Sequence, residues 1–509
     1  MTMSERPEAR TRQGDVRGVA HGPGAAFLGI PYAEPPIGAL RFAAPEPPRP
    51  WSGVREATAY GPTPLRTDLG DTTLIPEPAV SGADTLSVNV FTPSPDPGAR
   101  LPVWVWIHGG GYTTGSPASP WYDGSSFARD GVVTVTLSYR LGFDGFGWIE
   151  GAPQNRGVRD WVAALEWVRE NIASFGGDPA RVTIAGQSAG GGAVLTLLGM
   201  PSAQHLFQQV WCSSGALADI PEERSRATAA RLAGELGVAP DRDGFRSVTE
   251  ERILEAQVRA PRARGIRRLA LARELLRDGS GYGPVVDGDL IRRPTPASLA
   301  AGVGADKPLV LGANDDEFTM ITTGAAKKLR FVPARPALRL LGLGRSQTSA
   351  YLDANRDVHR RGTAALLGRY LTDRIFRAPT AAVAQARDEA PSGRGERAAT
   401  WLYRFTWRSP THGIALHCLD VPFLFDVLEA PRVDEIAGSS PPRALADAVH
   451  RAAVAFLTTG APGWSPAPEG PAGPARIFDA DPAAATVMHD AYASTAALVP
   501  VSGTASGGA

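Results

Sequence analysis

The 509-residue sequence predicts an α/β fold with a mostly parallel central sheet. Short β-prone runs alternate along the chain with segments of helical periodicity, which is the pattern of strands joined by crossover helices. Such a sheet is covered by helices on both faces. No linker or internal repeat divides the pattern, so we expect residues 1–509 to form a single domain rather than the roughly three that length alone suggests.

The predicted strands are runs rich in β-branched and aromatic residues. They cover residues 86–91, 103–107, 132–137, 182–185, 308–311 and 401–405. Ahead of the fourth run, residues 158–168 place apolar side chains at helical spacing. This spacing predicts an amphipathic helix that packs against the sheet.

Residues 26–51 interrupt the alternation with a high density of Pro and Gly. Because Pro removes a backbone donor, we expect an ordered but irregular layer here and not a central strand. The aromatic side chains of Phe27, Tyr32, Phe42 and Trp51 would anchor this layer.

Two longer segments, at about 219–305 and 319–398, are helical in pattern and rich in Arg and Ala. We expect both to be insertions that form a helical cap over the carboxyl edge of the sheet. Within the first, residues 259–277 hold seven arginines, for which a solvated cap helix is favoured over a polybasic binding patch.

Composition and charge exclude several classes of protein. The 52 basic and 52 acidic residues cancel, so an overall attraction to nucleic acid or an anionic membrane is not expected. Only two cysteines are present, Cys212 and Cys418, which excludes a disulfide framework and favours buried free thiols. The start of the chain lacks the apolar core of a secretory signal, and no run approaches the roughly 18 apolar residues of a membrane span. We therefore expect a cytoplasmic monomer or homodimer.

The strongest local motif is Gly186-Gln187-Ser188-Ala189-Gly190. It follows the strand-like run RVTIA and precedes the apolar run AVLTLL, which is the strand–turn–helix context of a nucleophile elbow. Small flanking residues keep side chains away from such a strained turn, and a helix amino terminus favours developing negative charge. Ser188 is therefore the candidate nucleophile. A glycine-rich turn without chemistry is the alternative that the motif alone leaves open.

A second motif, His108-Gly109-Gly110-Gly111, follows the run VWVWI. Consecutive glycines allow backbone N–H groups to turn toward one point, as an oxyanion hole requires. We expect the amides of Gly110, Gly111 and Ala189 to bind the oxygen of a tetrahedral intermediate. His108 is expected to shape the loop and not to act as a base; a purely structural turn is the alternative.

Longer blocks extend the pattern over nearly the whole chain. They include FLGIPYAEPPIGALRF, LPVWVWIHGGGYTTGS, YRLGFDGFG, NRGVRDWVAALEWVRENIASFGGDPARVTIAGQSAGG, GPVVDGDLI and HCLDVPFLF. With these blocks in this order, the chain resembles the type-B carboxylesterases, which include bacterial para-nitrobenzyl esterases and the cholinesterases. The resemblance implies an α/β-hydrolase fold and a Ser–Glu–His triad in that chain order, with neither a metal nor an organic cofactor.

The resemblance also places the remaining triad residues. The family's acid is the Glu of a D-E-G stretch after a strand, and PLVLGANDDEF puts Glu317 there, with Phe318 where glycine is common. The family's base lies in G-A-x-H-x-x-D/E-x-P-F, and IALHCLDVPF puts His417 there. Asp316 stays a rival for the acid. His412 is a neighbouring histidine that lacks the downstream spacing.

The resemblance carries further expectations. Ser214 matches a small residue near the triad in relatives, and we expect it to hydrogen-bond the acid. Thr85 stands where extracellular members often have a cysteine, which again favours a cytoplasmic enzyme. Aromatic residues in blocks that line the gorge in relatives, although each also suits core packing, are Tyr112, Trp148, Phe318, Phe423 and Phe425.

Together these residues predict a serine hydrolase that cleaves small-molecule carboxylic esters through an acyl-serine intermediate. The same triad also serves lactonases, amidases and acyl transferases, so these activities stay open. A non-catalytic binding protein of the same fold is a further alternative. Related adhesion proteins of that kind typically lack the serine, whereas Ser188 is present here.

Overall fold

An 11-stranded sheet lies at the centre of the chain. The structure is a computed structural model and describes residues 6–67, 73–258, 276, 281–391, 397–480 and 486–499. Strands β1, β2 and β5 form a separate small sheet, and β11 pairs with β12. The strands are β1 Glu8–Arg10, β2 Asp15–Arg17, β3 Val19–His21, β4 Gly24–Pro31, β5 Val54–Glu56, β6 Ser87–Thr92, β7 Leu101–Ile107, β8 Val133–Leu137, β9 Gly177–Gln187, β10 Gln209–Ser213, β11 Ile220–Pro221, β12 Val285–Val286, β13 Leu309–Asn314, β14 Thr400–Phe405, β15 Ala475–Phe478 and β16 Val487–Met488.

The order of strands in the large sheet is β16-β15-β14-β13-β10-β9-β7-β8-β6-β4-β3. All pairings from β15 to β8 are parallel. The pairings at both ends of the sheet are antiparallel. Parallel neighbours need long crossover connections, and helical segments provide them. The prediction of a mostly parallel sheet is confirmed.

Strand β7 illustrates how both faces of the sheet are covered. Val103 and Val105 lie in one buried cluster, whereas Trp104 and Trp106 lie in another. This separation arises because successive side chains along a strand point to opposite faces. The helices that contribute to these two clusters are Arg156–Asn171 and Ala189–Leu198 in the first and Arg443–Thr459 in the second.

The described parts of 219–305 and 319–398 are mainly helical, as the sequence predicts. The helix predicted at 158–168 is also confirmed, within Arg156–Asn171. The arginine-rich segment 259–277 lies outside the described residues except for Leu276. The helices are Ser125–Arg129, Gly142–Phe146, Arg156–Asn171, Ala189–Leu198, Glu222–Leu236, Arg242–Arg246, Glu250–Val258, Thr295–Ala300, Thr319–Thr323, Ala326–Leu329, Ala334–Leu340, Arg345–Ala354, Arg356–Arg360, Thr363–Thr372, Ala378–Glu389, Val421–Leu424, Val433–Ala437 and Arg443–Thr459.

The prediction for residues 26–51 is wrong in its first part. Residues 24–31 form β4, which pairs with β3 on one side and β6 on the other. The first Pro of the segment is Pro31, at the end of the strand, so the preceding residues keep their donors. Gly29, with φ 69°, accommodates an irregularity in the pairing and donates its amide to the Asn89 side chain at 2.9 Å. The remainder is irregular, with Tyr32 and Phe42 buried as predicted.

The parallel strands bring several loops to one edge of the sheet. The carboxyl ends of β7, β9, β13 and β14 lead into the His-Gly-Gly-Gly loop, the elbow, the acidic loop and the segment that carries His417. Carboxyl ends of parallel strands share one edge, which is where open α/β sheets place their ligands. The sequence therefore assembles its candidate site at this edge.

Candidate active site

Ser188 lies in the tight turn between β9 and the helix Ala189–Leu198. Its backbone has φ 60° and ψ −123°, a strained conformation for a residue other than glycine. A Cβ at Gly186 would lie 2.4 Å from the carbonyl carbon of Gly190, and one at Gly190 would lie 1.9 Å from the oxygen of Ile107. Both glycines of the motif are therefore required by the close approach of the turn to itself and to β7. The turn leaves the Ser188 side chain partly exposed at a helix amino terminus.

The imidazole of His417 lies between Ser188 and Glu317. Its Nε2 is 3.0 Å from Oγ of Ser188, and its Nδ1 is 2.6 Å from Oε2 of Glu317. A backbone hydrogen bond adds a second link, since the His417 amide donates to the Glu317 carbonyl at 3.0 Å. The structure thus brings the three predicted residues into one hydrogen-bonded chain with the histidine in the middle.

Glu317 is fully buried just beyond the end of β13. Its Oε1 accepts a hydrogen bond from the backbone amide of Asn314 at 2.8 Å, while Oε2 faces His417. A carboxylate held at both oxygens has one orientation, and that orientation fixes the tautomer of the imidazole. With Nδ1 donating to Glu317, Nε2 is left free to accept a proton from Ser188.

The two rivals for these roles have partners elsewhere. Oδ1 of Asp316 lies 3.4 Å from Nη2 of Arg369. Nε2 of His412 lies 3.1 Å from the backbone carbonyl oxygen of Glu435. Neither side chain is hydrogen-bonded to the imidazole that contacts Ser188.

The expectation that Ser214 hydrogen-bonds the acid is wrong. Its buried hydroxyl has no hydrogen-bond partner among the described residues. Both oxygens of Glu317 are instead occupied by Asn314 and His417. The backbone of Ser214, with φ 48°, donates its amide to the carbonyl of Gly312 at 2.7 Å.

The amides expected to bind an oxyanion come from two elements beside Ser188. Gly110 and Gly111 have φ of 103° and 61°, values that glycine adopts without strain. A Cβ at Gly109 would lie 3.0 Å from Cβ of Ser188, so this loop passes directly against the elbow. Ala189 is the first residue of its helix, where an N–H has no partner within the helix. Within the described chain, no hydrogen bond uses any of the three expected amides as a donor.

His108 shapes this loop from within. Its Nδ1 donates to the carbonyl of Gly109 at 2.8 Å, and its ring stacks on Tyr139 with centroids 4.5 Å apart. Burial lowers the pKa of His108 to about 4, so the ring is neutral near pH 7. The expected structural role of His108 agrees with these contacts.

Glu77 holds the same loop from outside. Its Oε2 accepts from the Thr114 hydroxyl at 2.5 Å and from the Gly115 amide at 3.0 Å. Hydrogen bonds to a charged acceptor are about twice as strong as neutral ones. The carboxylate therefore fixes the far side of the glycine turn.

Several groups around the base determine its electrostatics. Burial lowers the pKa of His417, but Cys418 and the Glu317 carboxylate raise it, and the net direction is upward. Burial and the charge of Glu317 raise the pKa of Asp420 to about 7. Asp420 receives a hydrogen bond from Nδ2 of Asn314 at 3.2 Å. Asn314 therefore connects both carboxyl groups near the base.

Two aromatic rings pack on the imidazole of His417. The ring centroids of Phe318 and Phe376 lie 5.0 and 4.8 Å from that of His417. Phe318, which stands where relatives often have glycine, is partly exposed. Of the other expected gorge residues, Tyr112, Phe423 and Phe425 lie in buried clusters, and Trp148 packs partly buried.

Three residues with clear contacts were not predicted from the sequence. Besides Asn314 and Glu77, Nε2 of Gln187 lies 3.3 Å from Nε2 of His417. Gln187 fills the variable place before the serine in G-x-S-x-G, a position next to the nucleophile that could have signalled a role. Glu77 has no such signal, because its contacts to the loop span more than 30 residues of chain.

Within the described residues, no group of three or more His, Cys, Asp or Glu side chains could hold a metal ion. No helix of the described chain is both long and apolar enough to cross a membrane. The two cysteines are buried and unpaired, as the sequence predicts.

Comparison with known proteins identifies the family. Residues 5–472 match the sequence profile of the carboxylesterase family. The chain belongs to this family. It is therefore a carboxylic-ester hydrolase with an α/β-hydrolase fold. Several esterases that are similar in sequence and in structure support this conclusion.

Among these, the para-nitrobenzyl esterase of Bacillus subtilis (strain 168) is 35% identical over 465 residues, covering 89% of this chain and 90% of that protein. Phenmedipham hydrolase of Pseudarthrobacter oxydans is 32% identical over 523 residues, covering 97% of each. A solved PNB esterase superimposes with a TM-score of 0.82 at 31% identity, covering 98% of this chain and 100% of that one. A carboxylesterase of Geobacillus stearothermophilus gives a TM-score of 0.79 at 31% identity, covering 96% and 99%.

Proposed function

We propose that this carboxylesterase acts through a catalytic triad of Ser188, His417 and Glu317. The observation that carries the proposal is the continuous chain of hydrogen bonds, 3.0 Å from Ser188 to His417 and 2.6 Å from His417 to Glu317. A serine hydroxyl is a weak nucleophile until an adjacent base removes its proton. His417 is oriented to do this and Glu317 to stabilise the imidazolium that results.

In the acylation step, Oγ of Ser188 attacks the ester carbonyl carbon while His417 takes the hydroxyl proton at Nε2. The amides of Gly110, Gly111 and Ala189 stabilise the negative charge on the carbonyl oxygen. The loss of one such donor typically costs about 3–4 kcal/mol of transition-state stabilisation. The intermediate then collapses, and the alcohol leaves with the proton from His417, which forms the acyl ester of Ser188.

Deacylation repeats the sequence with water. His417 removes a proton from the water molecule, whose oxygen attacks the acyl carbon in the same oxyanion hole. The acyl–oxygen bond to Ser188 breaks, the serine recovers the proton, and the carboxylic acid departs. Water is the only second substrate that this cycle needs.

The substrate is proposed to be a small ester with an apolar or aromatic group. Two relatives are named for para-nitrobenzyl esters and for phenmedipham. In this chain, the partly exposed Phe318 provides an aromatic ring directly beside the base, and the buried Phe376 packs against the same imidazole. We propose that the helical segments at about 219–305 and 319–398 form a cap of the single domain and limit the size of the ester.

The setting of the enzyme is also proposed. Two buried, unpaired cysteines support a reducing compartment, and thus a cytoplasmic enzyme. The balanced total charge supports a protein that binds small molecules and not nucleic acid. A monomer or homodimer is proposed.

Release of p-nitrophenol from short acyl esters tests the proposal. We expect Ser188→Ala to lose nearly all activity while its melting temperature stays close to that of the wild type. A fluorophosphonate probe should label the wild-type protein at Ser188 and leave the variant unlabelled. Equal turnover by the two proteins, or labelling at another residue, would show that the assignment of the nucleophile is wrong.

A further inference from the structure

One segment of this chain of balanced total charge is strongly basic. Residues 318–352 contain six cationic side chains and no acidic one, although the chain as a whole has 52 of each sign. All six are exposed, and no acidic side chain of the described residues forms an ion pair with any of them. They are Lys327, Lys328, Arg330, Arg335, Arg339 and Arg345.

The same segment exposes large apolar side chains. Ile321, Phe331 and Leu340 are 44%, 75% and 54% exposed. Phe331 is the most exposed large apolar side chain of the described residues. The inner faces of the helices are nevertheless packed, since Leu329 and Leu338 belong to a buried cluster. Ile321 and Leu340 thus project from helices and Phe331 from the turn between two helices, and exposed apolar patches of this kind mark interaction sites.

We propose that this basic–apolar face, residues 321–345, docks on an anionic lipid surface. Cationic side chains are attracted to lipid phosphates, and an exposed aromatic ring enters the interface between headgroups and acyl chains. Arg330 is suited to this arrangement, because its guanidinium lies 4.3 Å from the centroid of the Phe331 ring. The cation would reach the phosphates when the ring enters the interface.

The neutral total charge of the protein does not oppose this docking. The Debye length is about 8 Å at physiological ionic strength, so a lipid surface responds to the charges of the nearest face and not to the sum over the molecule. Within residues 318–352 that face carries positive charge alone. The exposed apolar side chains and the positive charge therefore favour the same partner, an anionic lipid surface.

Docking would also place the enzyme beside lipophilic esters, a consequence that rests on the proposed function. The basic–apolar face begins a few residues after Phe318, whose ring contacts His417. Esters dissolved in the lipid would then lie near the base. Lipid binding itself can be measured without turnover, so it can fail independently of the triad.

Co-sedimentation with vesicles tests the proposal, using phosphatidylglycerol against phosphatidylcholine at two salt concentrations. We expect binding to the anionic vesicles alone, weakened by salt. Each lysine near the surface contributes about fivefold to affinity, so Lys327→Glu with Lys328→Glu should weaken binding at least 25-fold. Phe331→Ser should weaken binding to vesicles without changing the charge.

The matched control carries the same change of charge outside the segment, at the exposed Arg408 and Arg451. Arg408→Glu with Arg451→Glu should bind vesicles as the wild type does. All variants should hydrolyse a soluble p-nitrophenyl ester at the wild-type rate, which verifies their folding and separates this test from that of the triad. Lipid docking would be overturned by equal binding to phosphatidylcholine or by an equal loss of binding in the control. It would also be overturned if soluble polyphosphate captured the protein and Phe331→Ser did not change that capture.

Discussion

Replacing Glu317 with Gln tests the proposed acid with almost no change of shape. The backbone amide of Asn314 decides how the new side chain is oriented, because it donates to Oε1 at 2.8 Å. The amide oxygen of the glutamine must take that place, since an NH2 group there would meet another donor. The NH2 group is then directed at Nδ1 of His417, across the present 2.6 Å contact.

This orientation reverses the tautomer of the base. Nδ1 must accept from the glutamine NH2, so the ring proton moves to Nε2. Nε2 then cannot accept the proton of Ser188, although it still lies 3.0 Å from Oγ. The equivalent change in a serine protease lowers kcat by about 10⁴-fold, and we expect a loss of about 10³- to 10⁴-fold here.

The assay is the steady-state kcat for a short p-nitrophenyl ester, with thermal unfolding as the check on folding. Asp316→Asn is the matched control, since it makes the same isosteric change one residue away on a carboxylate that faces Arg369. We expect the control to keep kcat within a few-fold of the wild type. A Glu317→Gln enzyme within tenfold of the wild type, or an equal loss in Asp316→Asn, would refute the reasoning.

Three further predictions follow from the groups around the triad. The raised pKa of His417 predicts that kcat/KM falls as the pH decreases through a value above 6.5, because only the neutral ring accepts a proton. A limb centred at or below 6.5 would contradict the argument. The pKa of Asp420 is raised to about 7 from its ordinary value of about 3.9, so ionisation of this side chain destabilises the folded state. The free energy of unfolding should therefore decrease as the pH rises from about 4 to about 7. Asp420→Asn should therefore raise the melting temperature more at pH 8 than at pH 5, and an equal gain at both would exclude this cause. Glu77→Gln should lower kcat about tenfold at unchanged KM, because a charge-assisted hydrogen bond to the oxyanion loop is weakened; a change in KM alone would point to substrate binding.

Local patterns allowed most of the fold to be predicted. The β-branched runs became β6, β7, β8, β9, β13 and β14, since their apolar side chains suit a sheet buried on both faces. Strand β10, Gln209–Ser213, was missed because QVWCS is short and has a mixed pattern. Its buried position between β9 and β13 depends on pairing with strands distant in sequence. The density of Pro and Gly after residue 26 is a poor guide to the strand Gly24–Pro31, because its one proline lies at its last position, where no donor within the strand is lost.

The candidate triad could be located from motifs because each member follows a strand in a recognisable local context. The residues that surround the triad could not be located in this way, since most of the relevant contacts join segments far apart in the chain. Glu77 reaches Thr114, and Asn314 reaches Asp420 over more than 100 residues. Ser214 shows the converse error: its position in a motif suggests the acid as a partner, but its hydroxyl has no hydrogen-bond partner among the described residues.

The two carboxyl groups near the base, Glu317 and Asp420, are of similar chemistry but differ in their hydrogen bonds. Glu317 and Asp420 lie on either side of Asn314 and are both buried, so burial alone would penalise the charge of each. Glu317 receives two short hydrogen bonds, at 2.6 and 2.8 Å, whereas Asn314 gives Asp420 one of 3.2 Å. Donors stabilise the ionised form, and the charge of Glu317 further disfavours a second negative charge beside it. The environment thus places the carboxylate with the shorter hydrogen bonds in contact with the imidazole, and it raises the pKa of the carboxyl group behind it.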